Sequence, residues 1–195
     1  KPGSRPMIPP HRAGDYPPLV SYAVMPPLPR PIRKVGAPLA VIITLGTLAG
    51  LLLILLTAVN PVGTTIGFVL STLAMTLVLL AYLWLERWEP EPPRLLVLAF
   101  LWGATVAIIV SVALEAYIEA TINPGQDEAS FATVAVVAPV VEEAAKGLFL
   151  LIMMTGRRRN ELNSLTDCLV YAGVVAVGFA WLEDIFYIAD GENLA

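Results

Sequence analysis

Three ionisable side chains crowd into one apolar stretch, Pro139-Val-Val-Glu142-Glu143-Ala-Ala-Lys146-Gly147. On a helix turning 100° per residue, Lys146 lies angularly between Glu142 and Glu143 and can pair with either, at i,i+4 or i,i+3 spacing. One ammonium cannot neutralise two carboxylates fully, so one glutamate is left to hold or pass a proton, the basic requirement of general acid–base chemistry. Pro139, one turn earlier, removes a backbone hydrogen bond and can kink the helix, which suits a water-filled cavity. A second cluster follows in Gly178-Phe-Ala-Trp-Leu-Glu183-Asp184-Ile-Phe-Tyr187. Glu183 and Tyr187 share a helical face, and Asp184 continues the face of Ala176 and Ala180. Asp167 opens the same stretch.

The elements that must carry these groups are set by composition. The 195 residues are 57% hydrophobic and only 14% charged, against about 45–50% and about 25% for soluble domains. Mean hydropathy is +0.74. A membrane-crossing helix needs about 20 apolar residues. Five runs are of that length: 35–59, 62–85, 95–120, 129–156 and 168–189. The linkers are short, and backbone inside lipid must satisfy its own hydrogen bonds, so an all-α, polytopic transmembrane bundle of about five spans is expected. The runs are too long and alternate too little for barrel strands. Asn60-Pro61 alone separates the first two, which therefore form a hairpin. The first domain is a proline-rich tail over residues 1–34, and the second is the transmembrane domain over 35–195. The tail holds ten of the seventeen prolines, and pairs such as Pro9-Pro10 forbid helix and favour extended, disordered chain.

Charge placement predicts orientation. With five spans, every lysine and arginine except Lys146 falls on one side: the tail, the 86–94 loop, and Arg157 to Arg159. The positive-inside rule puts that side in the cytoplasm and Ala195 outside a cell membrane. Lys146 is within a span, as are Glu142, Glu143, Glu183 and Asp184, and ionisable residues there are functional by default. A structural ion pair would need one acid, not two. Asp167, Glu115 and Glu119 fall at span boundaries, where interfacial charges are ordinary, and Trp181 and Tyr187 could serve as aromatic anchors. Gly46 and Gly50, and the Ala172–Ala176–Ala180 stripe, are candidate helix-contact faces. The single Cys168 excludes a disulfide framework and a cysteine metal site. The sequence begins at Lys1, and its first residues lack the basic start and apolar core of a signal peptide.

The polar residues form a known pattern. Glu142-Glu143-Ala-Ala-Lys146 resembles the EExxK motif of PrsW-type intramembrane proteases, relatives of the type II CAAX prenyl proteases. Asp167-Cys-Leu-Val-Tyr-Ala-Gly173, continuing through Gly178-Phe-Ala to Glu183-Asp184 and Tyr187, is similar to the next segment of that family. Asp184 stands where the family has Asn, and Cys168 where it has Gly. Glu89-Pro-Glu-Pro-Pro-Arg94, with Phe100-Leu-Trp-Gly103, resembles its EPEP loop and following helix. The resemblance covers about residues 86–187. It implies hydrolysis of a peptide bond within or near the membrane; some relatives act on anti-sigma factors or lipid-modified peptides. It further implies Glu142 as general base, Glu143 and Lys146 positioning it and balancing charge, and Glu183 with Tyr187, Asp184 and Asp167 positioning water or substrate; the residues themselves leave open which of Glu142 and Glu143 is the base, since both flank Lys146. The family's histidine lies on a later helix, and the only histidine here is His11 in the tail. The sequence is therefore expected to be part of a longer chain or a degenerate member. The residues present do not by themselves support a metal such as zinc.

Two other functions compete with the protease. A non-catalytic scaffold or accessory subunit would use the tail to bind a partner, and an ion- or proton-handling protein would use the buried carboxylates. The expected partners are membrane lipid, a membrane-protein substrate or partner subunit, and a proline-reading partner for the tail. Nucleic acid is not among them.

Overall fold

The computed structural model describes residues 38–85, 91–122, 131, 133–155, 162 and 164–191. The tail with His11, and the segments 86–90, 123–130 and 156–161, lie outside the described residues. The elements are helical throughout the described residues. They are α1 (Leu39–Val59), α2 (Pro61–Leu85), α3 (Pro93–Leu101), a π-helical segment (Trp102–Ala107), α4 (Ile108–Ile122), a second π segment (Thr133–Val137), α5 (Ala138–Thr155) and α6 (Leu165–Gly191). From α3 to α4 the helix is continuous, so it runs 30 residues from Pro93 to Ile122.

Local chemistry explains the ends. Asn60 closes α1 through its backbone N–H to Leu56 O and opens α2 by accepting the Gly63 N–H on Oδ1 at 3.0 Å. Pro61 takes the first helical position of α2, where its missing N–H costs nothing. Asn60 Nδ2 also donates to Ala189 O at 2.7 Å, tying the hairpin to the end of α6. Pro93 likewise opens α3. At α6, Ser164 and Asp167 make a reciprocal cap. Asp167 Oδ2 accepts the Ser164 N–H at 2.9 Å, and Ser164 Oγ accepts the Asp167 N–H at 3.1 Å.

Among the described residues, four helices are long and apolar enough to cross a membrane: α1, α2, the Pro93–Ile122 helix, and α6. Within the remaining expected span, 129–156, the described residues include the second π segment and α5. The difference of α5 from the others is chemical, because Glu142, Glu143 and Lys146 fall among its 18 residues. Among the described residues, thirty-six large hydrophobic side chains lie exposed, among them Leu55, Val59, Leu77 and Val112. In water that surface would be untenable, and in a bilayer it faces lipid. The protein is a multi-pass membrane protein.

The core sits around α6. About half of the most apolar stretches of α6 and of the Pro93–Ile122 helix is buried, against 6% for α1 and 11% for α2. Tyr171, Val175, Leu182 and Ile185 of α6 are fully buried. In lipid, helices associate by close packing rather than by a hydrophobic drive, so small residues decide where backbones meet. A Cβ on Gly103 would collide with the Val175 carbonyl and sit 2.8 Å from Phe179 N. A Cβ on Gly178 would collide with the Phe100 carbonyl. Gly63 and Gly67 on α2 meet the backbone of Ala189 and Ile185 in the same manner. The expected contact faces are elsewhere. A Cβ on Gly50 would meet nothing within 4 Å, and one on Gly46 only a Leu101 methyl at 4.0 Å. Ala172 and Ala176 are exposed.

Candidate active site

The charged group of α5 is held as its spacing predicts. Lys146 Nζ lies 3.2 Å from Glu142 Oε2 and 3.0 Å from Glu143 Oε1. The two carboxylates are not equivalent. Glu142 is turned inward, its side chain 24% exposed, whereas Glu143 is 75% exposed. The ammonium also rests over the Phe179 ring of α6, 3.9 Å from its centroid, an electrostatically favourable seat. Between the acid and the lysine in sequence, Ala145 is buried and its carbonyl accepts the Trp102 indole N–H at 3.2 Å. This bond fastens α5 to the π segment. Pro139 lies at the second residue of α5, where the π register of Thr133–Val137 gives way to α. The expected disturbance of the helix is therefore a change of register one turn before Glu142.

Helix α6 brings the second cluster to the first. Gly178 against Phe100, and Gly103 against Val175, allow the two backbones to touch. That contact fixes Phe179 under Lys146 and Trp181 against α2, where its indole N–H donates to Thr72 Oγ1 at 3.0 Å. Glu183 follows half a turn later, half-buried, and feels the charges of Glu142, Lys146, Asp184 and Glu115. Asp184 is half-buried beside it, and Tyr187 is 69% exposed one turn on. The Tyr187 phenol is within electrostatic reach of Glu183, Glu142 and Glu115.

Glu115, expected at a span boundary, lies seven residues before the end of α4 at Ile122. Its Oε1 is buried without a hydrogen-bond partner; it feels the charge of Glu142, and its own charge acts on Glu183. Spacing held a signal: Ser111, Glu115 and Glu119 recur every four residues on one face. Glu119, also expected at the boundary, accepts a hydrogen bond from Thr133 Oγ1 across to the second π segment.

Asp167 is elsewhere. It caps the N-terminus of α6, sixteen residues before Glu183, or about 24 Å along the helix. The Glu91 carboxylate, from the second acid of the Glu-Pro-Glu-Pro stretch, is buried and accepts the Tyr171 O–H at 2.9 Å. Two of the recognisable segments are thereby joined at this same end of α6.

No set of three or more His, Cys, Asp or Glu side chains converges closely enough to hold a metal ion among the described residues. What the site offers is an inward carboxylate paired to an ammonium, a facing acid on the next helix, and a phenol. No curated protein and no solved structure matches the chain. Residues 91–194, which include every one of these groups, match the sequence profile of the PrsW family intramembrane metalloprotease, and the chain belongs to that family.

Proposed function

We propose that this chain hydrolyses a peptide bond in a membrane-protein substrate, such as an anti-sigma factor, with Glu142 as the general base. The observation that carries the proposal is the inequality of the two neighbouring acids: Glu142 is turned inward toward Glu183 and is salt-bridged to a lysine that is itself seated on α6. Glu142 takes a proton from a water molecule, and the water oxygen adds to the scissile carbonyl carbon. Glu142 then returns the proton to the leaving nitrogen as the C–N bond breaks, leaving a new carboxylate and a new amine. Lys146 balances the charge and holds the carboxylate in one rotamer. In this reading Glu183, Asp184 and Tyr187 hold the water or the substrate carbonyl. Glu143 shares Lys146 from the outer side. Asp167 acts at a distance, by fixing the start of α6.

The family description implies a metal ion. The described residues do not form a site for one by themselves, and no step above depends on it. In this reading the N-terminus is cytoplasmic, as the positive-inside rule expects. Glu183 is eight residues from the end of α6 at Gly191, about 12 Å, so in this orientation the site lies in the outer half of the membrane.

The test is Glu142→Gln in the full-length protein, co-expressed with a tagged single-span substrate. Cleavage is expected to be lost while membrane insertion and protein level are retained. Cleavage that survives the substitution removes Glu142 from the role.

A further inference from the structure

A hydrolase inside a bilayer consumes one water per bond broken, and lipid supplies none. The stripe Ser111, Glu115 and Glu119 on α4 has the features of a supply route. Ser111 is 2% exposed, yet its Oγ has no hydrogen-bond partner. One turn on, the Glu115 Oε1 is buried and also has none. Such orphans are rare in folded proteins, because a buried polar group without a partner costs about 1–3 kcal/mol. Two of them one turn apart, on one face, match the donors and acceptors that buried water bridges, typically about three per molecule.

The stripe has a defined direction. At its far end the Glu119 carboxylate accepts a hydrogen bond from Thr133, at the start of the π segment leading into α5, so this face of α4 is turned toward α5. Further in, Glu115 feels the charge of Glu142 and acts with its own on Glu183. On the opposite side of the helix, Ala113 and Tyr117 are exposed, Tyr117 at 71%. From Ser111 to Glu119 the stripe covers about 12 Å of helix, and Ile122 ends α4 less than one turn beyond Glu119.

We propose that Ser111, Glu115 and Glu119 form a hydrated file along α4 that delivers water from the membrane surface to Glu142 and Glu183. Its purpose rests on the hydrolytic reading above, but hydration is measurable without catalysis. The experiment is cysteine accessibility in the full-length protein, with Cys168 first replaced by Ser. Single cysteines are placed at Ser111, Glu115 and Glu119, and at Ala113 and Tyr117 on the opposite side as controls. A charged methanethiosulfonate, applied to both faces of membrane vesicles, reacts with the thiolate, which forms only where water reaches. Glu115→Cys and Glu119→Cys are expected to label about 100-fold faster than Ala113→Cys and Tyr117→Cys, corresponding to roughly two pKa units between a wet and an apolar thiol. Ser111→Cys should also label faster than Ala113→Cys, at a rate lower than Glu119→Cys because it is deeper. Glu115→Cys reacting no faster than Tyr117→Cys overturns the file. Cleavage by the parent protein with no labelling of the stripe removes the file and leaves the hydrolase. Fast labelling with no cleavage keeps the file and removes the hydrolase.

Discussion

Replacing Gly178 by alanine adds one methyl group at the point where α6 touches α3. That Cβ would lie 2.8 Å from the carbonyl carbon of Phe100, 3.0 Å from its Cα, and closer still to its oxygen. Ordinary carbon–carbon contact begins near about 3.5 Å. The crossing must therefore open by at least about 0.7 Å at this point, and the obstacle is backbone, which cannot rotate away. Gly103 makes the reciprocal contact from the other helix, so neither side has slack. Overpacking of this kind costs about 1–3 kcal/mol. Its effect on the site is direct, because the next residue, Phe179, carries Lys146, and Glu183 is about 7.5 Å further along the same helix. Misplacement by 1 Å can cost about 100-fold in rate, so a loss on the order of 10- to 100-fold in kcat is expected. The control is Gly147→Ala, where an added Cβ meets nothing within 4 Å. It should change stability by no more than about 1 kcal/mol, the difference in helix propensity. Both variants would be made in the full-length protein and purified in micelles. Unfolding in dodecyl sulfate would be followed by tryptophan fluorescence, and cleavage of a single-span substrate by gel. If Gly178→Ala is as stable and active as Gly147→Ala, the backbone contact does not position the site.

Other contacts make their own predictions. Lys146→Met leaves two carboxylates without their cation, at a cost of about 2.5–3.5 kcal/mol for a charge near the middle of a span; the fraction inserted, read by protease protection, should fall, and cleavage should be lost. Tyr171→Phe removes the hydroxyl bonded to buried Glu91. A bond to a charged group is worth about 1.5–3 kcal/mol, so the dodecyl sulfate midpoint should drop while the substrate KM stays unchanged. Asn60→Ala removes the α2 cap and the tie to Ala189. It should cost about 0.5–2 kcal/mol and expose the end of α6 to proteolysis before the rest of the bundle.

The helices were legible because apolar runs of membrane length have few other interpretations, and the turn at Asn60-Pro61 carries its own capping chemistry. The Glu142, Glu143 and Lys146 triad was legible because charge is costly in a span and helical spacing fixes which groups meet. Which of the two glutamates faces the site was not. That depends on where α4 and α6 pack, and a single helix does not encode its neighbours. The same limit explains the contact faces. Gly46 and Gly50 have the right spacing but lie on a peripheral helix, whereas Gly103 and Gly178 close the central crossing; Ala99, Gly103, Ala107 and Ser111 recur every four residues and are buried, so the same kind of pattern was present there too. Asp167 carries an acid's identity but a cap's geometry, and Ser164 three residues earlier was the available sign.

The central claim is that Glu142, and not its neighbour Glu143, takes the proton from water. The most direct test is kcat for the purified full-length protein, its Glu142→Gln variant and its Glu143→Gln variant in the same vesicles with the same single-span substrate. General base catalysis contributes about 10²- to 10⁴-fold. Glu142→Gln is expected to lose at least that much with KM little changed, and Glu143→Gln to retain activity within about 10-fold of the parent, consistent with a positioning role. Equal losses, or the larger loss at Glu143, would contradict the account.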